Sequence, residues 1–104
     1  MKVFSLLLFI IPTSIIVQNA DDILGVWLTD DGEAKIEIYK ESGKYNGRVV
    51  WLREPNTKDG KPKKDTENPE KSLRNRSVMG LDLVIGFEFN DDQWEDGEIY
   101  DPAV

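Results

Sequence analysis

Acid–base chemistry in this chain falls to its carboxylates, because among 104 residues there are 20 Asp and Glu but no histidine and no cysteine. That absence removes the Ser-His-Asp triad, the cysteine nucleophile, ordinary zinc sites and the usual haem ligands together. No glycine-rich phosphate loop is present either. Paired carboxylates remain, of the kind that cleave glycosidic bonds by one acid protonating the leaving group while another attacks or stabilises. Asp82, Glu88, Asp96, Glu98 and Asp101 are the candidates. The plainer reading, which we prefer, places Asp82, Glu88 and Glu98 on the solvated faces of strands and Asp96 and Asp101 in turns. Asp59, Asp65, Glu67 and Asn68 offer hard oxygen ligands for calcium, but their spacing is not that of an EF-hand and polar loops are rich in such residues. The expectation is a protein without a catalytic residue, metal or cofactor.

Two guanidinium groups, Arg74 and Arg76, follow an acidic stretch and have the geometry to clamp a carboxylate or phosphate. Pairing with the nearby acids Asp65, Glu67 and Glu70 is the competing and preferred role. Asn75-Arg76-Ser77 also fits a glycosylation sequon. Trp27, Trp51 and Trp94 with Tyr39, Tyr45 and Tyr100 are many amphipathic rings for a small domain. They suit either the filling of a core or the lining of a ligand cavity.

The elements that must position these groups are strands. From Asp22 onward, short alternating segments are separated by Gly, Asp and Asn turns, the pattern of a sheet built from hairpins. The first strand is Leu24 to Thr29, closed by Asp30-Asp31-Gly32, whose residues tolerate positive φ. In the second, Ala34, Ile36 and Ile38 share one face and Glu33, Lys35 and Glu37 the other. After a turn at Glu41-Ser42-Gly43-Lys44, the third strand, Tyr45 to Arg53, is expected to place Tyr45, Gly47, Val49 and Trp51 on one face. Residues 54–72 contain Pro55, Pro62 and Pro69 and almost nothing apolar, and predict a long, mobile polar loop. In the fourth strand Leu81, Leu83, Ile85, Phe87 and Phe89 form an apolar face. The fifth runs from Trp94 to Tyr100, with a bulge at Gly97.

Ahead of this domain stand Lys2 and the apolar run Val3 to Ile11, which read as a signal peptide over residues 1–20 cut after Ala20. The run is interrupted by Pro12 and falls well short of the roughly 20 apolar residues that span a membrane. Cleavage leaves 12 basic and 20 acidic residues, a net charge of −8, in a single domain over 21–104. Such a charge disfavours nucleic acid and anionic lipid as partners. The expected location is the periplasm or beyond. Five meander strands rarely close a barrel, so an open sheet edge is expected.

Gly25-Val26-Trp27 resembles the Gly-x-Trp of lipocalins and related calycin barrels, in which the tryptophan closes one barrel end. The segments GVWLTDDGEAKIEIYK, GRVVWL, DTENPEKSLRNRSVMGL and WEDGEIYDP, in that order, resemble an exported bacterial family of unknown function, DUF2147, over nearly all of residues 22–102. The resemblance implies a lipocalin-like barrel and brings no catalytic residues with it. Relatives continue past the Asp-Pro turn with further strands, so the fold class expected here is all-β, an antiparallel up-and-down meander forming a lipocalin-like barrel that is incomplete at the C-terminus.

From these features the leading functional expectation is non-catalytic binding of a small, partly apolar or acidic ligand in the barrel mouth. Trp27, Tyr45, Trp51 and Phe87 would line it, with Arg74 or Arg76 meeting an acidic group. The competing expectation is an envelope interaction module, in which the open edge and acidic loop engage a protein partner or a second copy.

Overall fold

The computed structural model describes residues 19–102; most of the expected signal peptide lies outside them. A 3-10 turn at Ala20–Ile23 leads into six strands, β1 (Gly25–Leu28), β2 (Ala34–Glu41), β3 (Lys44–Leu52), β4 (Asp82–Asn90), β5 (Gln93–Glu95) and β6 (Glu98–Ile99), with a second 3-10 turn at Lys71–Leu73 between β3 and β4. All pairings are antiparallel and sequential, β1-β2-β3-β4, with β5 and β6 both on β4. The sheet curls into an open half-barrel. Among the described residues no helix is long and apolar enough to cross a membrane.

Two hairpins owe their tightness to paired positive φ values, at Ser42 (52°) and Gly43 (77°) between β2 and β3 and at Asp91 (50°) and Asp92 (67°) between β4 and β5. These are two-residue turns whose twist matches that of the strands they join. Strand β2 follows its alternation: Ala34 and Ile36 are fully buried, Ile38 nearly so, and the intervening charges face out. Val49, Leu83, Val84 and Val78 complete the core. Packing over its middle is close, since a Cβ on Gly47 would lie 2.9 Å from Ile38 Cδ1 and 3.1 Å from both Ile36 Cγ2 and Val84 Cβ.

The third strand departs from the expected alternation. Ile36 pairs with Val49 but Lys35 with Trp51, so Val50 is an extra residue opposite the Lys35–Ile36 step. One inserted residue reverses every side chain beyond it. Trp51 therefore turns outward, 39% exposed, with the Lys35 ammonium 5.1 Å from its ring centre, while Leu52 turns in at 6%. The expectation that Trp51 shares a face with Tyr45, Gly47 and Val49 is corrected on this ground.

The same device changes β4. Gly47 pairs with Val84 and Arg48 with Asp82, leaving Leu83 as the extra residue. A second irregularity follows where Gly86 adopts φ 70° and its N–H donates to Asn46 Oδ1 at 2.8 Å. Leu83 and Val84 are consequently both buried and Ile85, expected inward, is 39% exposed. The expected fifth strand is split into β5 and β6 around Asp96 and Gly97. Glu88↔Glu95 and Ile85↔Glu98 keep one register across the gap, so the split is an interruption without an inserted residue, and the bulge expected at Gly97 is absent.

Residues 54–72, expected as a long polar loop with almost nothing apolar to bury, fold back on themselves through Lys63 N–H to Pro55 C=O (3.0 Å) and Thr57 N–H to Lys61 C=O (2.8 Å). It is then stitched to the segment before β4 by Asp65 N–H to Arg76 C=O (2.9 Å) and Val78 N–H to Lys63 C=O (3.1 Å). What it buries is polar: Asp65 is fully buried and Asn68 5% exposed.

Candidate functional site

The buried Asp65 carboxylate is the centre of that loop. It accepts hydrogen bonds from Tyr100 Oη, from Asn68 Nδ2 at 2.9 Å and from Arg76 Nη2 at 2.9 Å. Burial pushes the Asp65 carboxyl up, but these three donors outweigh it and hold the group below its ordinary value. Tyr100 is correspondingly raised, by burial and then by the Asp65 carboxylate. Arg74 donates from Nε to the Asn68 carbonyl at 2.6 Å. Both arginines therefore serve the loop, with Arg76 on an acid and Arg74 on a backbone oxygen.

Trp27, Tyr45 and Phe87 lie toward the packed side of the sheet, each already engaged. Trp27 is half-buried, and its Nε1–H donates to the Ile23 carbonyl at 2.7 Å, tying the 3-10 turn across one end of the sheet. Tyr45 is buried. Its hydroxyl donates to Asp21 Oδ1 at 2.6 Å and its ring meets Trp94 edge-on, 4.9 Å between centres. The Phe87 ring covers the backbone of Gly97. Of the six side chains expected to line a ligand site, then, Trp51 points away and Arg74 and Arg76 belong to the Asp65 network.

The carboxylates considered for hydrolysis do not gather. Asp82 accepts from Tyr39 Oη at 2.7 Å on the outer face, Glu88 and Glu98 are exposed, and Asp96 sits in the strand interruption at φ 61°. Among the described residues no group of three or more Asp or Glu is placed to hold a metal ion.

A different surface stands out at β1. Among the described residues this strand pairs with β2 alone, so one of its edges is unmatched. Thr29 N–H donates to Ala34 C=O at 2.9 Å, and Trp27↔Ile36 and Gly25↔Ile38 continue that register. Hydrogen-bonded pairs recur at every second residue of an antiparallel ladder. The backbone N–H and C=O of Val26 and Leu28 must therefore point along the open edge. Their side chains are 57% and 54% exposed on the outer face. Neither a charge nor a proline falls within Gly25–Leu28, the usual guards of an edge strand. Asp21 and Asp22 precede the strand and Asp30 and Asp31 follow it. Asp21 is held below its ordinary value by the Tyr45 hydroxyl and by Lys40, whose Nζ is 3.1 Å away. Val26 and Leu28 escape the search for chemistry in the sequence because they are ordinary strand residues.

Fold and surface together define a barrel-like antiparallel β protein with a filled concave side and an unguarded first strand. The chain belongs to the family described as an uncharacterized protein conserved in bacteria (DUF2147), whose sequence profile matches residues 25–104. No curated protein and no solved structure matches it.

Proposed function

We propose that this protein is a non-catalytic binding module, working outside the cytoplasm, that takes an extended segment of a partner protein onto the open edge of β1. The observation that carries the reading is the coincidence at Val26 and Leu28 of outward-pointing backbone groups and exposed apolar side chains. Strand addition uses both at once: main-chain hydrogen bonds supply affinity and alternate side chains supply selectivity. The apolar run Val3 to Ile11 supports export. A small ligand in the barrel mouth has less support, because Trp51 faces outward and the two arginines are committed to the loop.

Photo-crosslinking side chains placed singly at Val26 and at Leu28 test this in intact producing cells. Both are expected to capture one partner segment, at positions two residues apart. Leu28→Pro, which removes an N–H from the edge without touching the β2 ladder, is expected to abolish the adduct at Val26 while leaving the melting temperature within a few degrees. Adducts to unrelated segments at the two positions, or an adduct that survives Leu28→Pro, would count against strand addition.

A further inference from the structure

We infer that residues 58–64 form a second interaction surface, separate from β1 and independent of it, which takes an extended, carboxylate-rich segment of a partner protein. Lys58-Asp59-Gly60-Lys61-Pro62-Lys63-Lys64 sets four lysines against one acid, a local charge of +3 in a chain whose total is −7. Lys58, Lys61 and Lys64 are exposed and Lys63 is half-buried. Among the described residues none of the four ammonium groups has a hydrogen bond or an ion pair. The one acid is engaged already, since Asp59 accepts from the Thr57 hydroxyl, a bond that holds its carboxyl below the ordinary value.

The ribbon is held from both sides. Thr57 N–H to Lys61 C=O and Lys63 N–H to Pro55 C=O bind it to the stretch before it, through a turn in which Gly60 takes φ 82°. Val78 N–H to Lys63 C=O and Asp65 N–H to Arg76 C=O bind it to the stretch that leads into β4, with Lys64 opposite Ser77. An incoming ligand therefore does not have to order this backbone. The strands that flank the segment, β3 and β4, are each paired on both sides, so the surface is no sheet edge.

The donors select the anion. Arginine's fork matches phosphate bidentately, but Arg53 pairs with Glu33 at 3.3 Å, Arg76 pairs with Asp65 at 2.9 Å, and Arg74 donates to the Asn68 carbonyl. What remains is lysine, a point charge that fixes no geometry on its partner and suits a row of separate carboxylates. The surrounding charges select the kind of partner. A bilayer or a nucleic-acid duplex must also lie against the exposed Glu54, Glu67 and Glu70 of the same segment, which repel it. A single extended chain can follow the ribbon alone, because screening confines each charge to ~8 Å in 0.15 M salt.

Fluorescence anisotropy on the full chain, with a labelled peptide of eight glutamates spaced by serines, tests the inference. The peptide is expected to bind at 0.1 M salt and to dissociate at 1 M, where the screening length falls to ~3 Å. Reversing a charge removes an attraction and adds a repulsion, so Lys61→Glu with Lys64→Glu is expected to weaken binding about tenfold or more. Neither side chain has a partner to lose, and the melting temperature should stay as it was. Lys61→Arg with Lys64→Arg keeps the charge and should keep the affinity. Lys35→Glu with Lys44→Glu makes the same change in net charge at exposed positions on the sheet, and is expected to cost no more than about threefold. An equal loss in the two reversed pairs would reduce binding to net charge and overturn the surface, as would failure of the unaltered chain to bind the peptide. Vesicles of phosphatidylcholine and phosphatidylglycerol in equal parts are expected not to bind. Vesicle binding that is lost in Lys61→Glu with Lys64→Glu would overturn the acidic segment as occupant and put a membrane in its place.

Discussion

Asp65→Ala is expected to lower the free energy of unfolding by about 3 kcal/mol, the lower end of what removing one partner from a buried ion pair costs. The lower end applies because the Arg76 side chain keeps 39% exposure and water screens part of the charge left behind, whereas Asp65 itself has none. Arg76 Nε is already buried with no hydrogen-bond partner, so the guanidinium has little to fall back on when the carboxylate goes. Tyr100 and Asn68 lose their acceptor in the same stroke. Denaturant unfolding measures the loss, and cleavage of 54–72 by a protease at native conditions is expected to rise with it. The pH dependence follows from the sign of the shift. A carboxyl depressed in the folded state stabilises it above the unfolded value, ordinarily ~3.9, and that contribution drains away as pH falls through the folded value. Asp65→Ala should therefore flatten the acid limb of the stability curve. A loss below about 1 kcal/mol, with the acid limb unchanged, would mean that the loop is held by its backbone bonds alone.

Gly97→Ala is the second large effect. A Cβ at that position would run into Cδ2, Cγ and Cε2 of the Phe87 ring, inside any distance real carbon atoms adopt. Here glycine is required for space. The ring must leave, and the register that Glu88↔Glu95 and Ile85↔Glu98 maintain on either side must yield with it. Overpacking of this kind costs typically 1–3 kcal/mol, and three clashing ring atoms place Gly97→Ala at about the top of that range. Thermal unfolding of Gly97→Ala, Phe87→Leu and the double variant separates the cause. The expected double variant is more stable than the sum of the two losses implies, because the smaller side chain vacates the space. Strict additivity would locate the damage in the backbone and clear the ring. Gly47→Ala is the milder companion, since its nearest contact, 2.9 Å from Ile38 Cδ1, is the end of a flexible side chain.

How much of this was legible in the sequence depended on whether the period of a strand survived pairing. Ala34, Ile36 and Ile38 were readable as core because β2 keeps strict alternation over the pairs that bury them. The Ser42-Gly43 turn was readable because its residue types answer a backbone requirement at the same place. Trp51 and Ile85 were misplaced by irregularities that belong to a pair of strands, at Lys35–Ile36 against Val50 and at Leu83 and Gly86 against β3, and no single-strand pattern records these. The internal bonding of the 54–72 segment was not legible for another reason. Polarity reads as solvation when residues are counted one at a time, yet Asp65, Asn68, Arg76 and Tyr100 satisfy one another and so can be buried without apolar neighbours. The contact of Arg76 with Asp65 was within reach of the sequence, as a pairing preferred over a ligand clamp. Tyr100, 35 residues away, was not. Trp27 was singled out through the resemblance to Gly-x-Trp barrels and does tie down one end of the sheet, through Ile23. The open edge was expected, and its assignment to Val26 and Leu28 needed the Thr29–Ala34 hydrogen bond to fix which backbone groups face outward.

Residue-resolved amide hydrogen exchange on the protein, alone and with the partner segment that the Val26 and Leu28 crosslinks capture, tests the strand-addition claim most directly. Exchange at Val26 and Leu28 is expected to be fast in the isolated protein while Trp27, bonded into the β2 ladder, is protected; the segment should slow Val26 and Leu28 and leave Trp27 as it was. Val26 and Leu28 amides already protected in the isolated protein, or unchanged when the segment is bound, would contradict the account, because the edge would then be covered or the segment seated elsewhere.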